Sequence, residues 1–125
     1  MYLKKIGMLV LLVVTALVTP VSLADTPGTR TIANILYHFN HFPAQAAQKS
    51  LLRIAQDPGS SEGEKIVAQA LARTEHKVKS EDAAALEQLL ESDSGSDQIR
   101  TLARILLHLN HKPSDEDMAT IKLML

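Results

Sequence analysis

The amino-acid sequence predicts an all-α domain of three stacked helical hairpins, and three observations carry that prediction. First, one stretch is written twice. Residues 30–43 read RTIANILYHFNHFP and residues 100–113 read RTLARILLHLNHKP, with nine identities in fourteen positions at a shift of 70. Second, a worn copy sits halfway. At a shift of 35, Ala33, Leu36 and His41 meet Ala68, Leu71 and His76, and then Ala103, Leu106 and His111. A fixed period of this size marks one supersecondary unit repeated in a stack. Third, apolar residues recur at helical spacing throughout, and no segment shows the period-2 alternation of a half-buried strand.

The elements follow in order. In the first helix, from residue 28 or 29 to 40, Ile32, Ile35, Leu36 and Phe39 form one apolar stripe. Asn40 tolerates a left-handed backbone and is expected to end it, and Pro43 can open the next helix. The second helix, at 44–55, turns Ala47, Leu51, Ile54 and Ala55 inward. Gln56-Asp57-Pro58-Gly59-Ser60 is a dense turn signal. Ser61 and Glu64 have capping-box spacing. The third helix then runs to about 75, with Val67, Ala68, Ala70 and Leu71 inside. Its apolar face is small, so thin packing is expected there.

Ser80 begins the fourth helix, with Glu81 and Asp82 in its first turn and Leu86, Leu89 and Leu90 buried. Ser96 repeats the cap of Ser61. The fifth helix carries Leu102, Ile105, Leu106 and Leu109. The last begins near Ser114, with Asp117 at capping spacing, and turns Met118, Ile121, Met124 and Leu125 inward. The approximate repeats are 26–60, 61–95 and 96–125. One hairpin cannot cover its own apolar face, whereas three stacked hairpins share a core.

Ahead of this domain, Lys4 and Lys5 precede an apolar run from Ile6 to Val18, and Ser22 and Ala24 are small residues at cleavage spacing. This is the layout of a secretory signal peptide at 1–24, with a mature domain at 25–125 that is periplasmic or secreted. A run of thirteen residues falls short of the roughly 20 that span a bilayer, so no stable membrane anchor is expected after cleavage. The chain has no cysteine, which removes disulfides, thiolate metal sites and a thiol nucleophile.

Without the leader's two lysines, eleven basic face fourteen acidic side chains. No basic footprint for nucleic acid appears. Period and helix pairing over Arg30 to Leu125 resemble the α-helical solenoid families, the HEAT-like and tetratricopeptide-like arrays. That resemblance implies a scaffold for noncovalent binding. The tetratricopeptide pattern of a Trp, a Gly and spaced aromatics is absent, so no functional residue is carried over.

All five histidines lie in the repeated stretch. His41, His76 and His111 form a ladder at intervals of 35. His38 with His41, and His108 with His111, stand at i, i+3 and are candidate metal pairs. The competing reading is structural, with imidazoles satisfying free carbonyls at helix ends. In a stack, helices lie about 8–10 Å apart, which would keep equivalent histidines from sharing one ion. No metal and no cofactor is therefore assigned from sequence.

Tyr37 and Phe42 are candidate partner-binding residues, weighed against Tyr37 simply covering one end of the stack. No nucleophile elbow, zinc-protease helix, phosphate loop or dinucleotide turn is present, so no catalytic residue is assigned and the chain is read as a non-enzyme. The sequence favours an exported module that binds a protein or peptide and is able to self-associate. A histidine-based periplasmic metal-binding protein is the alternative, and an enzyme of unknown class comes third.

Overall fold

A computed structural model describes residues 26–125; the expected leader at 1–24 lies outside them. The described chain is all-helical, with α1 Pro27–Tyr37, α2 Gln45–Gln56, α3 Glu62–Ala72, α4 Ser80–Glu91, α5 Asp97–His108 and α6 Asp115–Lys122. No strand occurs among the described residues. The helix starts follow the expected chemistry. Ser61 and Glu64 make the full reciprocal capping box, Ser96 accepts from the Ile99 N–H, and Ser114 accepts from the Asp117 N–H. Arg100 donates to the carbonyls of Leu89 and Leu90, where α4 ends, and to that of Ser94 beyond it. Thr31 and Thr101, one repeat pair, each donate to the carbonyl four residues back.

The three hairpins stack, and the stack closes on itself. The odd helices α1, α3 and α5 touch one another pairwise and form the centre. Each even helix packs on the odd helix of the next hairpin: α2 on α3, α4 on α5, and α6 back on α1. Ala33, Ala68 and Ala103 have no exposed surface, as do Leu36, Leu71 and Leu106. The alanines let three helices meet at the centre, and the leucines fill the layer beside them. Each such leucine stabilises the fold by roughly 1.5–3 kcal/mol.

Closure explains several departures from the sequence reading. Thin packing was expected around α3, yet seven of its eleven residues are buried, more than in any other helix. Its small side chains let neighbours approach on several sides. A Cβ on Gly63 would stand 2.8 Å from Ile99 Cγ2, so α5 comes close to bare backbone there. The apolar stripe of α1 is as expected, with Ile32, Leu36 and Phe39 buried and Ile35 half-buried. Met124 is buried as expected, but Leu125, the last residue and beyond the helix end at Lys122, is 48% exposed. Helices α1 and α3 stop at Tyr37 and Ala72, about three residues early, and the left-handed residue falls at His41, not Asn40. The extra residues are spent on a turn described below.

At the opposite end, Glu64 of α3 is buried and joins two hairpins. It accepts from the Thr26 and Thr29 hydroxyls, at the start of α1, and from the Ser61 N–H. Gly28 makes room for it, since a Cβ there would lie 2.9 Å from Glu64 Oε2. Burial alone would raise this carboxyl. The hydrogen bonds from Thr26, Ser61 and Thr29 outweigh burial and hold it below its ordinary 4.5. The unfolded chain therefore takes up this proton first as the solution is acidified. Glu64 contributes stability above its unfolded value, and the contribution is lost as pH falls through the lower folded value. We predict that Glu64→Gln lowers the thermal midpoint near neutral pH and that the gap to wild type shrinks on acidification toward pH about 3. Melts at several pH values check this; a constant gap would contradict it.

Candidate functional site

The site begins with the backbone. After each odd helix the chain makes a three-residue turn centred on histidine. The Phe42 N–H donates to the Asn40 carbonyl at 2.8 Å and the Lys77 N–H to that of Glu75 at 2.6 Å. Asn110 and Lys112 form the equivalent backbone bridge in the third hairpin. The central residues His41, His76 and His111 have φ of 70°, 66° and 72°. This is the rarer, strained form of the γ-turn. Because the local bond uses the flanking residues, the histidine N–H and C=O point outward from the turn and are free to pair elsewhere.

They pair with one another. The His76 N–H donates to the His41 carbonyl at 2.5 Å, the His111 N–H to that of His76 at 2.8 Å, and the His41 N–H to that of His111 at 2.5 Å. The three bonds form a closed cycle in which each turn gives once and accepts once. The cycle satisfies six backbone groups that no helix serves. It also gathers the three imidazoles.

Ring centroids are 5.1 Å apart for His41 and His76, 4.9 Å for His41 and His111, and 4.8 Å for His76 and His111. The ring planes cross at 79–87°. One ligand nitrogen from each residue lies within 4.8 Å of the others, and none of the three residues is buried. The assumption that equivalent histidines are too distant to share an ion is thus overturned. It held for residues on the outside of an open stack, whereas the closed cycle puts these at the centre, beyond the ends of the helices.

The surroundings suit a cation. The odd helices end at Tyr37, Ala72 and His108, each within four residues of its histidine. Their carbonyl ends, each carrying roughly half a negative charge, therefore approach the triad together. Nδ1 of His41 faces Oδ1 of Asn40 at 2.7 Å, and Nδ1 of His111 faces Oδ1 of Asn110 at 2.9 Å. An amide oxygen only accepts, so Nδ1 carries the proton and Nε2 is left with its lone pair. Such an outer partner fixes the tautomer of a metal-binding histidine. In the second hairpin Glu75 occupies the place of the two asparagines.

The other candidates fall elsewhere. His38 and His108 donate through Nδ1 to the carbonyls of Asn34 and Arg104 at 2.9 and 2.8 Å. They serve helix ends, the structural role weighed for them in the sequence. Their i, i+3 partnership with His41 and His111 is not the grouping the fold makes. Arg73 stands in their place in the second hairpin and forms a two-pronged ion pair with buried Asp82. Tyr37 packs half-buried against the core, with its ring edge-on to that of His38 at a centroid separation of 5.1 Å. Phe42 is 62% exposed beside the triad.

His76 is the residue sequence reasoning left out of the candidate set. Its signal was the ladder at 35, which ranked below the i, i+3 pairs. The chain matches no protein-family model, no curated protein and no solved structure.

A second concavity, a cleft of about 420 Å³, is lined in part by Thr26, Thr31, Arg53, Asp57 and Glu64. Glu64 spends its oxygens there on Thr26, Thr29 and Ser61.

Left-handed backbone costs a side-chain-bearing residue roughly 1–2 kcal/mol, and glycine almost nothing. Three histidines accept that cost where glycine would avoid it. We predict that His76→Gly leaves the metal-free protein within about 1 kcal/mol of wild type, because relief of the turn offsets the added freedom of the unfolded chain. His76→Val, with a branched side chain at φ 66°, should be clearly less stable than His76→Gly. Thermal melts in chelator check both; equal and large losses would mean that imidazole packing itself holds the cycle.

Proposed function

We propose that this protein binds a divalent transition-metal ion, zinc foremost, on His41, His76 and His111. The single observation that carries the reading is the convergence of three imidazoles, one from each hairpin, on one point. Zinc takes neutral imidazole at about 2.0–2.1 Å, and tetrahedral angles then require ring centroids about 5 Å apart. The rings already stand 4.8–5.1 Å apart. For tetrahedral coordination the ligand nitrogens, now within 4.8 Å of one another, need to draw in to about 3.3 Å. The Nδ1 contacts of His41 and His111 to asparagine oxygens, the helix ends within four residues of each histidine and the retained strain of three turns all support it.

The donor set selects the ion. Three imidazoles without thiolate or carboxylate suit zinc, copper, nickel or cobalt, and do not suit calcium or magnesium. This reading moves ahead of the protein- or peptide-binding module that the sequence favours. That module keeps exposed Phe42 as its best anchor. With the leader at 1–24 read as an export signal, the ion would be taken from the periplasm or the medium outside the cell.

Zinc titration followed by calorimetry tests the proposal. One ion per chain should bind, and the thermal midpoint should rise, because an ion bound only by the folded state adds about 2.7 kcal/mol at a hundredfold excess over Kd. His76→Ala should abolish both effects and His38→Ala neither. No heat and no shift in the wild type would refute the reading.

A further inference from the structure

Structural zinc sites are closed by four protein ligands, whereas sites that act on a ligand keep a position open. The triad offers three nitrogens, and among the described residues no fourth His, Asp or Glu side chain stands with them. Glu75, which directly precedes His76, has no oxygen in the group of ligand atoms that lie within 4.8 Å of one another. Asn40 and Asn110 hold their oxygens against Nδ1, on the far side of the imidazole from Nε2.

A divalent ion on three neutral imidazoles also keeps a net positive charge, since no anionic side chain coordinates it and the helix ends nearby carry only partial charges. The residues that follow His76 and His111 are Lys77 and Lys112, both exposed, and Phe42 takes the equivalent place in the first hairpin. The local balance of Glu75 against Lys77 and Lys112 adds one more positive charge.

Resting on the metal reading, we propose that the fourth position takes an oxyanion of a small molecule, a carboxylate or a phosphate. Lys77 and Lys112 supply its charge partners, and Phe42 supplies an apolar flank. The anion enters from solvent, because none of the three histidines is buried. Its oxygen completes a tetrahedron and neutralises charge that the protein leaves uncompensated. The protein then binds metal and anion together, and neither the metal-free chain nor the free anion forms the pair.

Cobalt separates this proposal from the one beneath it, because its visible bands report coordination directly. The full chain is loaded with Co2+, and acetate or inorganic phosphate is titrated in as separate arms. Intense bands of a tetrahedral ion are expected on metal addition, and they should vanish in His76→Ala. Either anion should then shift the bands; the one acting at lower concentration identifies carboxylate or phosphate as the preferred group. Lys77→Ala with Lys112→Ala should leave the metal bands intact and weaken anion binding several-fold, more so at low salt. Absence of cobalt bands would overturn the metal reading itself. Bands present but insensitive to both anions would overturn the anion proposal and leave the metal reading standing. A band shift unaffected by the double lysine variant would remove the lysines from it.

Discussion

A cycle of three backbone hydrogen bonds governs this molecule. Helical hairpins stacked side by side leave two ends, and each end exposes apolar surface. Here the bond from the His41 N–H to the His111 carbonyl joins the first hairpin to the third, and α6 covers α1 as α2 covers α3. The two ends cover one another. A domain of about a hundred residues without disulfides gains much from that, because its core must do all the stabilising. The cycle requires each contributing residue to free both backbone groups, which only a sharp turn allows. The turn requires positive φ, and that requirement fixes what stands at the centre.

The centre could have been glycine. Histidine tolerates this backbone better than most residues but still at a cost. Its presence at all three turns ties a structural necessity to a chemical opportunity. The turn that frees the backbone also puts three imidazoles about 5 Å apart, near helix ends that favour positive charge. A metal ion held there would link all three hairpins at one point, so binding and stability of the closed form would be coupled.

Much of the fold was legible in the sequence. The nine shared positions of 30–43 and 100–113, the serine caps at 61, 96 and 114, and the stripe of Ile32, Leu36 and Phe39 each report a local rule. Each rule operates within one helix or one turn. Closure is not a local rule. Nothing within a single hairpin distinguishes an open stack from a ring of three, and the two differ only in how far each unit rotates against the next. For that reason Val67, Ala68, Ala70 and Leu71 read as a thin face, although small residues such as Ala68 and Ala70 let α3 be enclosed. His76 was underweighted for the same reason. Equivalent residues of an open stack are spaced along a line, whereas these histidines meet around an axis. The pairs at i, i+3 drew attention because spacing along one helix is readable, whereas spacing across repeats needs the closure angle.

Amide hydrogen exchange at the three turns tests closure most directly. In an open stack, His76 and His111 could still donate to the preceding hairpin, while His41 would face solvent with no acceptor. The closed cycle predicts that the His41 amide is protected to a degree comparable with the amides of His76 and His111. A His41 amide exchanging at the rate of an unstructured loop, beside two protected partners, would contradict the ring and the site built on it.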